Sequence, residues 1–458
     1  MDRARTVSDI IDQRPLSGLQ ISTFLLCGLV LVLDGFDAQS LGFLASSMAG
    51  TFRVPVSSFG PIFGAALFGL MISAMSSGPI ADRWGRKWPI VVSTLIFGIF
   101  TALTARATSF KELLAFRFLT GLGLGGAMPN VVSLTSEYAP KRLVPVFVSM
   151  VFCGMPAGAL LGGTVGAVML PQWGWQSVLY VGGLLPLIVA LILIKVLPES
   201  VRFLGMSGAA PKKISAILSR ISPDLADVPV RVSTEEGASR KGFPVKHLFT
   251  EGRALGTVLL WVPNFMNLLI IYFIVSWLPV LLRQAELPVS AGIRAIMLFS
   301  LGGMAGALLE GRLMNEFGAA ILLVVEFGIS TLLIGSLAFT TSFLLIMTVT
   351  FILGFTVQGA QGGLNALAAS FYPTAIRSTG VGWALGAGRV GSIVGPVLGG
   401  IMLSVGWHPQ QIFLAGAIPS LSAAVSIMLT GRMQGNSSAY GPDSYVTTGP
   451  KTENRSEA

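Results

Sequence analysis

The chain has 458 residues, of which 53% are hydrophobic and only 11% charged, whereas soluble domains carry about 25% charged residues. This composition excludes a large soluble enzyme domain and indicates an integral membrane protein. A net charge of +9 would suggest nucleic-acid binding in a soluble protein. Here the lysines and arginines lie in short loops, so they indicate which side of the membrane each loop faces.

Twelve apolar runs follow one another along the chain, and each is long enough to span a bilayer as a helix of about 20 residues. They cover residues 19–45, 57–80, 88–106, 112–136, 143–168, 175–197, 255–282, 289–312, 318–339, 342–369, 378–404 and 409–431. The sequence therefore predicts an all-α membrane protein with twelve transmembrane helices.

These runs divide the chain into five regions. We expect a cytoplasmic N-terminal segment (1–18), a six-helix half (19–197), a cytoplasmic central loop (198–254), a second six-helix half (255–431) and a disordered cytoplasmic tail (432–458). Residues 212–220 of the central loop have the pattern of a short amphipathic helix. The tail is rich in Gly, Ser, Thr and Pro, a composition typical of disorder.

One loop motif occurs twice at a constant offset. Residues 78–85, after the second run, recur as residues 311–318 after the eighth with the same glycine spacing, and Gly121 recurs as Gly354. This duplication predicts two pseudo-symmetric halves, the architecture of a secondary transporter whose site lies between the halves at mid-membrane.

Two aspartates lie inside the first apolar run. A charge at the bilayer centre costs roughly 2.5–3.5 kcal/mol on insertion scales, so each aspartate is expected to have a functional or structural role that offsets this cost. Asp34 and Asp37 are three residues apart, which places both carboxylates on one helical face. Two carboxylates this close do not both ionise easily in a low dielectric, which suits proton uptake and release. The alternative is a structural role, with a carboxylate held by hydrogen bonds or an arginine.

Two arginines also remain within the membrane, and neither has a charged counterpart in the other half. Arg117 lies in the fourth run and Arg389 in the eleventh. Guanidinium donors match both oxygens of a carboxylate, so at least one arginine is a candidate for an anionic substrate. The alternative is internal pairing, of Arg117 with Asp34 or Asp37 and of Arg389 with Glu326.

Neutral polar side chains in the second half complete the candidate substrate site. Asn264 and Asn267 lie in the seventh run, and Gln358 and Gln361 in the tenth. Their amides could hydrogen-bond to a hydroxyl group on the ring of a substrate. The alternative is that they hydrogen-bond between helices.

A third group of charges lies at the cytoplasmic ends of the first half. It comprises Asp82, Arg83, Arg86, Glu137, Arg142, Glu199 and Arg202. We interpret it as a latch that closes when the site faces outward, the alternative being a static cluster that fixes topology. A latch predicts that Asp82→Asn slows transport with substrate affinity little changed, and a tenfold loss of affinity (about 1.4 kcal/mol) with intact turnover would contradict it.

Several of these segments resemble a known family. Residues 78–87, 117–123 and 198–202 are similar to signatures of the major facilitator superfamily. The resemblance extends from about residue 20 to residue 431. Within it, the Asp34–Asp37 segment, residues 128–140, 153–156 and 380–391 resemble the aromatic acid/proton symporters. In the second copy of the loop motif, Asn315 stands where the first has Asp82.

This resemblance implies a bacterial inner-membrane importer of benzoate- or hydroxybenzoate-type acids, coupled to protons, in which Asp34, Asp37, Arg117 and Arg389 matter for transport. We expect both termini in the cytoplasm and a functional monomer, with no cofactor, metal site, catalytic residue or nucleic-acid partner. The alternatives are an exporter of aromatic or drug-like compounds, an importer of another organic anion, a sugar-type porter and a non-transporting receptor.

Overall fold

The computed structural model describes residue 12 and residues 16–207, 211–221, 245–250, 252–372 and 376–438. Within these ranges the chain is helical and contains no strand, which confirms the predicted all-α class. The helices are α1 Gly18–Phe52, α2 Phe59–Trp84, α3 Lys87–Thr104, α4 Phe110–Tyr138, α5 Val144–Phe152, α6 Gly154–Val196, α7 Val201–Met206, α8 Pro211–Ile221, α9 Ala254–Gln284, α10 Val289–Phe317, α11 Ala319–Ser336, α12 Phe343–Phe371, α13 Arg377–Ser404 and α14 Pro409–Ser438.

Ten of the described helices are long and apolar enough to cross a membrane. The number is ten rather than twelve for two reasons. Helix α4 crosses the bundle but carries four charged residues, which lower its hydropathy. Helix α6 is counted once although Gly174, at φ 74° and ψ 176°, divides it into two arms. With α5 continuing into the first arm, the described chain makes twelve crossings, as the apolar runs predict.

The helical bundle has a proximal end and a distal end. At the proximal end α1 begins at Gly18 and α2 ends at Trp84; at the distal end α1 ends at Phe52 and α2 begins at Phe59. The capping box of Ser17 and Gln20 starts α1, since each side chain bonds the other residue's backbone N–H.

Equivalent helices pair in the two halves. In the first half α2 packs on α4 and α1 on α6; in the second α10 packs on α12 and α9 on α13. The halves meet where α13 packs on α2, α10 on α6 and α9 on α1. The duplicated loop motif therefore corresponds to a duplicated packing arrangement.

The apolar core is shared between the halves at one end only. The distal core joins Phe43 and Phe63 of the first half to Trp277, Leu278 and Ile293 of the second. Two further cores lie at the proximal end and do not join. The bundle is therefore closed at its distal end and divided at its proximal end.

Each proximal core belongs to a single half. One contains Leu134 and Leu193 of the first half together with Leu218 of α8, and the other contains Leu260 and Leu364 of the second half. Close packing of side chains is what holds transmembrane helices together, so the distal core, which both halves share, holds the halves together and the proximal cores do not.

Backbone contact at the distal seam depends on glycine. A Cβ on Gly42 of α1 would lie 2.1 Å from the Val275 carbonyl oxygen of α9, whereas a Cβ on Gly28 of the same helix would meet nothing within 4 Å. Gly42→Ala should therefore destabilise the purified protein by about 1–3 kcal/mol through overpacking, and Gly28→Ala should not. Thermal unfolding in detergent checks this, and equal unfolding temperatures for the two variants would contradict it.

Two expected boundaries differ in the structure. Residues 169–174 were expected to separate two helices, but α6 is helical through this stretch apart from Gly174. The expected tail (432–458) begins inside α14, which continues to Ser438; residues 439–458 lie outside the described residues. The amphipathic helix predicted at 212–220 is α8.

Candidate functional site

Asp37 and Arg117 form a buried ion pair inside the first half. The Arg117 guanidinium donates from Nη1 to Asp37 Oδ1 at 3.2 Å and from Nη2 to Oδ2, and both residues are 1% exposed. The Thr101 hydroxyl of α3 donates to the same Oδ1 at 2.8 Å. Three donors from two helices therefore hold Asp37, two of them in the two-pronged geometry of an arginine–carboxylate pair.

Asp34 lies one helical turn away in a different environment. It is 2% exposed, and its Oδ1 has no hydrogen-bond donor in the part of the chain that the structure describes. Arg389, on α13 of the opposite half, is near enough to act electrostatically on Asp34. The same guanidinium is within hydrogen-bonding reach of Tyr272 and lies 3.8 Å from the Met128 sulfur. Asp34 and Arg389 thus bring opposite charges to the interface from the two halves.

A pocket lies between the halves at this level. Its polar lining includes Asp34, Arg117 and Tyr272, and its apolar lining includes Leu41 and Phe63. An apolar pocket with a few convergent polar groups is the usual form of a small-molecule site. The aspartates and Arg117 were predicted from the sequence; Thr101 was not, because a lone threonine in an apolar helix carries no signal.

The alternative pairing of Arg389 with Glu326 is wrong. Among the described residues no carboxylate lies within ion-pair distance of Arg389, and Glu326 of α11 instead contacts Glu310 of α10. The pairing of Arg117 with an aspartate, by contrast, is observed. The two membrane arginines therefore differ, because Arg117 is neutralised within its own half and Arg389 is not.

The neutral polar residues bond to one another between α9 and α12. Asn267 Nδ2 donates to Gln361 Oε1 at 3.0 Å, and Gln361 Nε2 reaches Asn264 Oδ1 at 3.5 Å. Gln358 packs against Gly303 of α10. These contacts are hydrogen bonds between helices, which is the alternative to substrate binding. A role in recognising the substrate ring stays a prediction for Asn264, Asn267, Gln358 and Gln361.

The proximal charges also gather within one half. Arg86 lies 3.3 Å from Asp82 and 3.7 Å from Glu137, while Glu199 Oε1 accepts from the Arg86 backbone N–H at 2.7 Å. The Ser200 hydroxyl donates to Glu137. The remaining members of the predicted group are exposed: Arg83, Arg142 and Arg202. These bonds exist while the proximal ends of the halves are divided, which is the arrangement expected of the static-cluster alternative, and the latch stays a prediction.

The ion pair in the first half leads to a stability prediction. Asp37→Ala leaves the Arg117 guanidinium buried and unpaired, and removing one partner of such a pair costs about 3–5 kcal/mol. The double variant Asp37→Ala, Arg117→Met removes both charges and should recover most of this loss. Thermal unfolding of the purified variants checks the prediction, and a single variant as stable as the double one would contradict it.

Two duplicated helical bundles around a central pocket, closed at one end, define a multi-pass membrane transporter. The chain matches the Major Facilitator Superfamily over residues 27–384 and again over 296–444. It belongs to that superfamily, a transporter family rather than an enzyme family, which confirms the resemblance of the loop motifs.

Curated relatives align along nearly the whole chain. It is 40% identical to the 4-hydroxybenzoate transporter PcaK of Pseudomonas putida, over 93% of this chain and 95% of that protein. It is 37% identical to a gallate transporter of Pseudomonas putida (94% and 96% covered) and 34% identical to the 3-(3-hydroxy-phenyl)propionate transporter of Escherichia coli K12 (88% and 92% covered).

Solved structures share the fold. A bacterial homologue of the human lysosomal transporter Spinster, in an inward-facing and unoccupied conformation, is 20% identical with a TM-score of 0.68, and the match covers 91% of this chain and 97% of that one. The nucleoside transporter NupG is 15% identical with a TM-score of 0.71, covering 90% and 100%.

Proposed function

We propose that this protein imports a small aromatic carboxylate of the benzoate or hydroxybenzoate type together with protons, by alternating access. The observation that carries the proposal is the contrast between the two membrane arginines. Arg117 is ion-paired with Asp37, whereas Arg389 faces the interface between the halves with no carboxylate within ion-pair distance among the described residues. A guanidinium without an ion-paired carboxylate suits the carboxylate of a ring acid, and a nearby apolar pocket suits the ring.

The substrate class follows from chemistry and from the relatives together. The pocket offers apolar surface from Leu41 and Phe63 for a ring. Arg389 does not line the pocket itself, but it acts electrostatically on Asp34, which does, and is our candidate for the carboxylate. Relatives at 34–40% identity are named for hydroxybenzoate, gallate and hydroxyphenylpropionate. All three are ring acids with hydroxyl groups, which supports the same class here.

Proton coupling follows from the energy of moving an anion. Importing a monoanion against an inside-negative potential costs about 2.3 kcal/mol per 100 mV, and one co-imported proton removes that cost. Asp34 is the better candidate for carrying the proton. Its Oδ1 is buried without a hydrogen-bond donor among the described residues, whereas Asp37 accepts three hydrogen bonds. Protonated Asp34 would no longer attract Arg389, which would then be free for substrate.

Orientation follows from the distribution of positive charge. Of the 30 lysines and arginines, few fall at the distal end: Arg53, Arg106, Lys111, Arg283 and Arg294. Cytoplasmic loops carry the excess of positive charge, so the proximal end and both termini lie in the cytoplasm. The structure is then open toward the cytoplasm, and a single chain completes the pocket, which supports a functional monomer in the bacterial inner membrane.

Uptake measurements test the function. Cells expressing the protein should accumulate one or more radiolabelled ring acids from a panel of benzoate, hydroxybenzoates, gallate and hydroxyphenylpropionate, and a protonophore should abolish the accumulation. Efflux from preloaded cells without uptake would indicate an exporter. Saturable binding without accumulation of any acid would indicate a receptor.

A further inference from the structure

Two glutamates in the second half form a buried pair that the transport site does not use. Glu310 lies on α10 and Glu326 on α11, and each residue is 3% exposed. None of their four carboxyl oxygens receives a hydrogen bond from a donor in the described ranges. Buried ionised carboxylates without partners are strongly disfavoured, so this arrangement needs an explanation.

The two carboxyl groups contact each other in a niche on α12. They are within hydrogen-bonding reach of one another. A Cβ on Gly363 would lie 2.5 Å from Glu310 Oε1 and 2.9 Å from Leu323, one turn before Glu326. The glycine therefore leaves the space that the Glu310 carboxyl occupies against the helix backbone.

No cation balances the pair in the described structure. Residues 343–371 of α12 and 409–430 of α14 contain no Asp, Glu, Lys, Arg or His, and α11 carries no charged residue besides Glu326. On α10, Arg294 lies at the distal start over the Phe343 ring, and Arg312 and Glu316 are exposed. Two touching carboxyl groups in apolar surroundings cannot both be ionised, since like charges in a shared site exclude each other.

We propose that Glu310 and Glu326 form a second proton-binding site, at which the two carboxyl groups share one proton. The proton supplies the missing donor, because a protonated carboxyl donates its O–H to the partner carboxylate. This site lies wholly within the second half, whereas Asp34 lies on the first. Each half therefore carries a proton-binding carboxyl of its own.

Infrared spectroscopy of the purified, substrate-free full chain at pH 7 tests the proposal without relying on transport. Wild-type protein should show the C=O stretching band of a protonated carboxyl, with its shift in D₂O. Glu310→Gln and Glu326→Gln should each lose part of that band, because the glutamine amide donates to the remaining carboxylate in place of the proton.

Controls separate this site from the transport site. Asp34→Asn should retain the band component that both glutamate variants lose, and Glu316→Gln, at an exposed position, should leave the protonated-carboxyl band unchanged. Either glutamate variant suffices if the other fails to fold. A protonated-carboxyl band of wild-type size in the folded Glu310→Gln or Glu326→Gln protein would overturn the proposal.

Discussion

Arg389→Ala should abolish saturable binding of benzoate-like acids by the purified protein. Truncating one partner of a buried, hydrogen-bonded charge pair costs about 2–5 kcal/mol, which corresponds to a loss of affinity of roughly 30-fold or more. Arg389→Lys should fail as well, because an ammonium lacks the two-pronged geometry that matches a carboxylate. Equilibrium binding of a radiolabelled acid measures both variants.

The uncharged amide of the same acid separates a carboxylate contact from a packing effect. Wild type and Arg389→Ala should bind the amide with the same weak affinity. Arg294→Ala is the matched control, since this arginine lies at the distal start of α10 over the Phe343 ring and away from the pocket. If Arg389→Ala binds the acid as wild type does, the anion site lies elsewhere, and Asn264, Gln361 and Arg117 are the next residues to test.

Asp34→Asn should eliminate uphill accumulation while leaving downhill exchange of substrate in place. The asparagine cannot carry a proton, but it preserves the size of the side chain and removes only a charge that has no hydrogen-bond donor on Oδ1. Preloaded proteoliposomes should therefore still exchange labelled for unlabelled acid, while an imposed pH gradient should no longer drive accumulation.

Two further variants make this result specific. Glu316→Gln changes an exposed carboxylate outside the site and should accumulate substrate normally. Asp37→Asn should lose stability as well as transport, because it leaves Arg117 without its anionic partner. Protonophore-sensitive accumulation by Asp34→Asn at the wild-type level would show that another group carries the proton.

The sequence was sufficient for the architecture because membrane helices and gene duplication leave local signals. Apolar runs of the required length predict the crossings, and the repeat of residues 78–85 at 311–318 predicts the paired halves. The helix boundaries were hardest to predict around Gly174. Helical turns continue on both sides of this residue, and no polar loop separates the two arms of α6.

The partners of the buried charges could not be predicted in the same way. Spacing places Asp34 and Asp37 on one face, but which carboxylate meets Arg117 depends on how α1 and α4 are rotated against each other. Glu310 was not recognised because it lies close to the end of its apolar run, where a charge is expected to reach water. Only tertiary packing shows that it turns inward to Glu326.

The division of the apolar core has a consequence for biosynthesis. The proximal core of the first half draws on no residue beyond Ile221, so it can pack while the ribosome is still translating the second half. The distal core contains Phe63 and Trp277 from opposite halves and must wait until both have been inserted. The closure of the distal end therefore follows the packing of the first half's proximal core, and a nascent chain that stalls before α9 would leave that apolar surface open to chaperones and proteases.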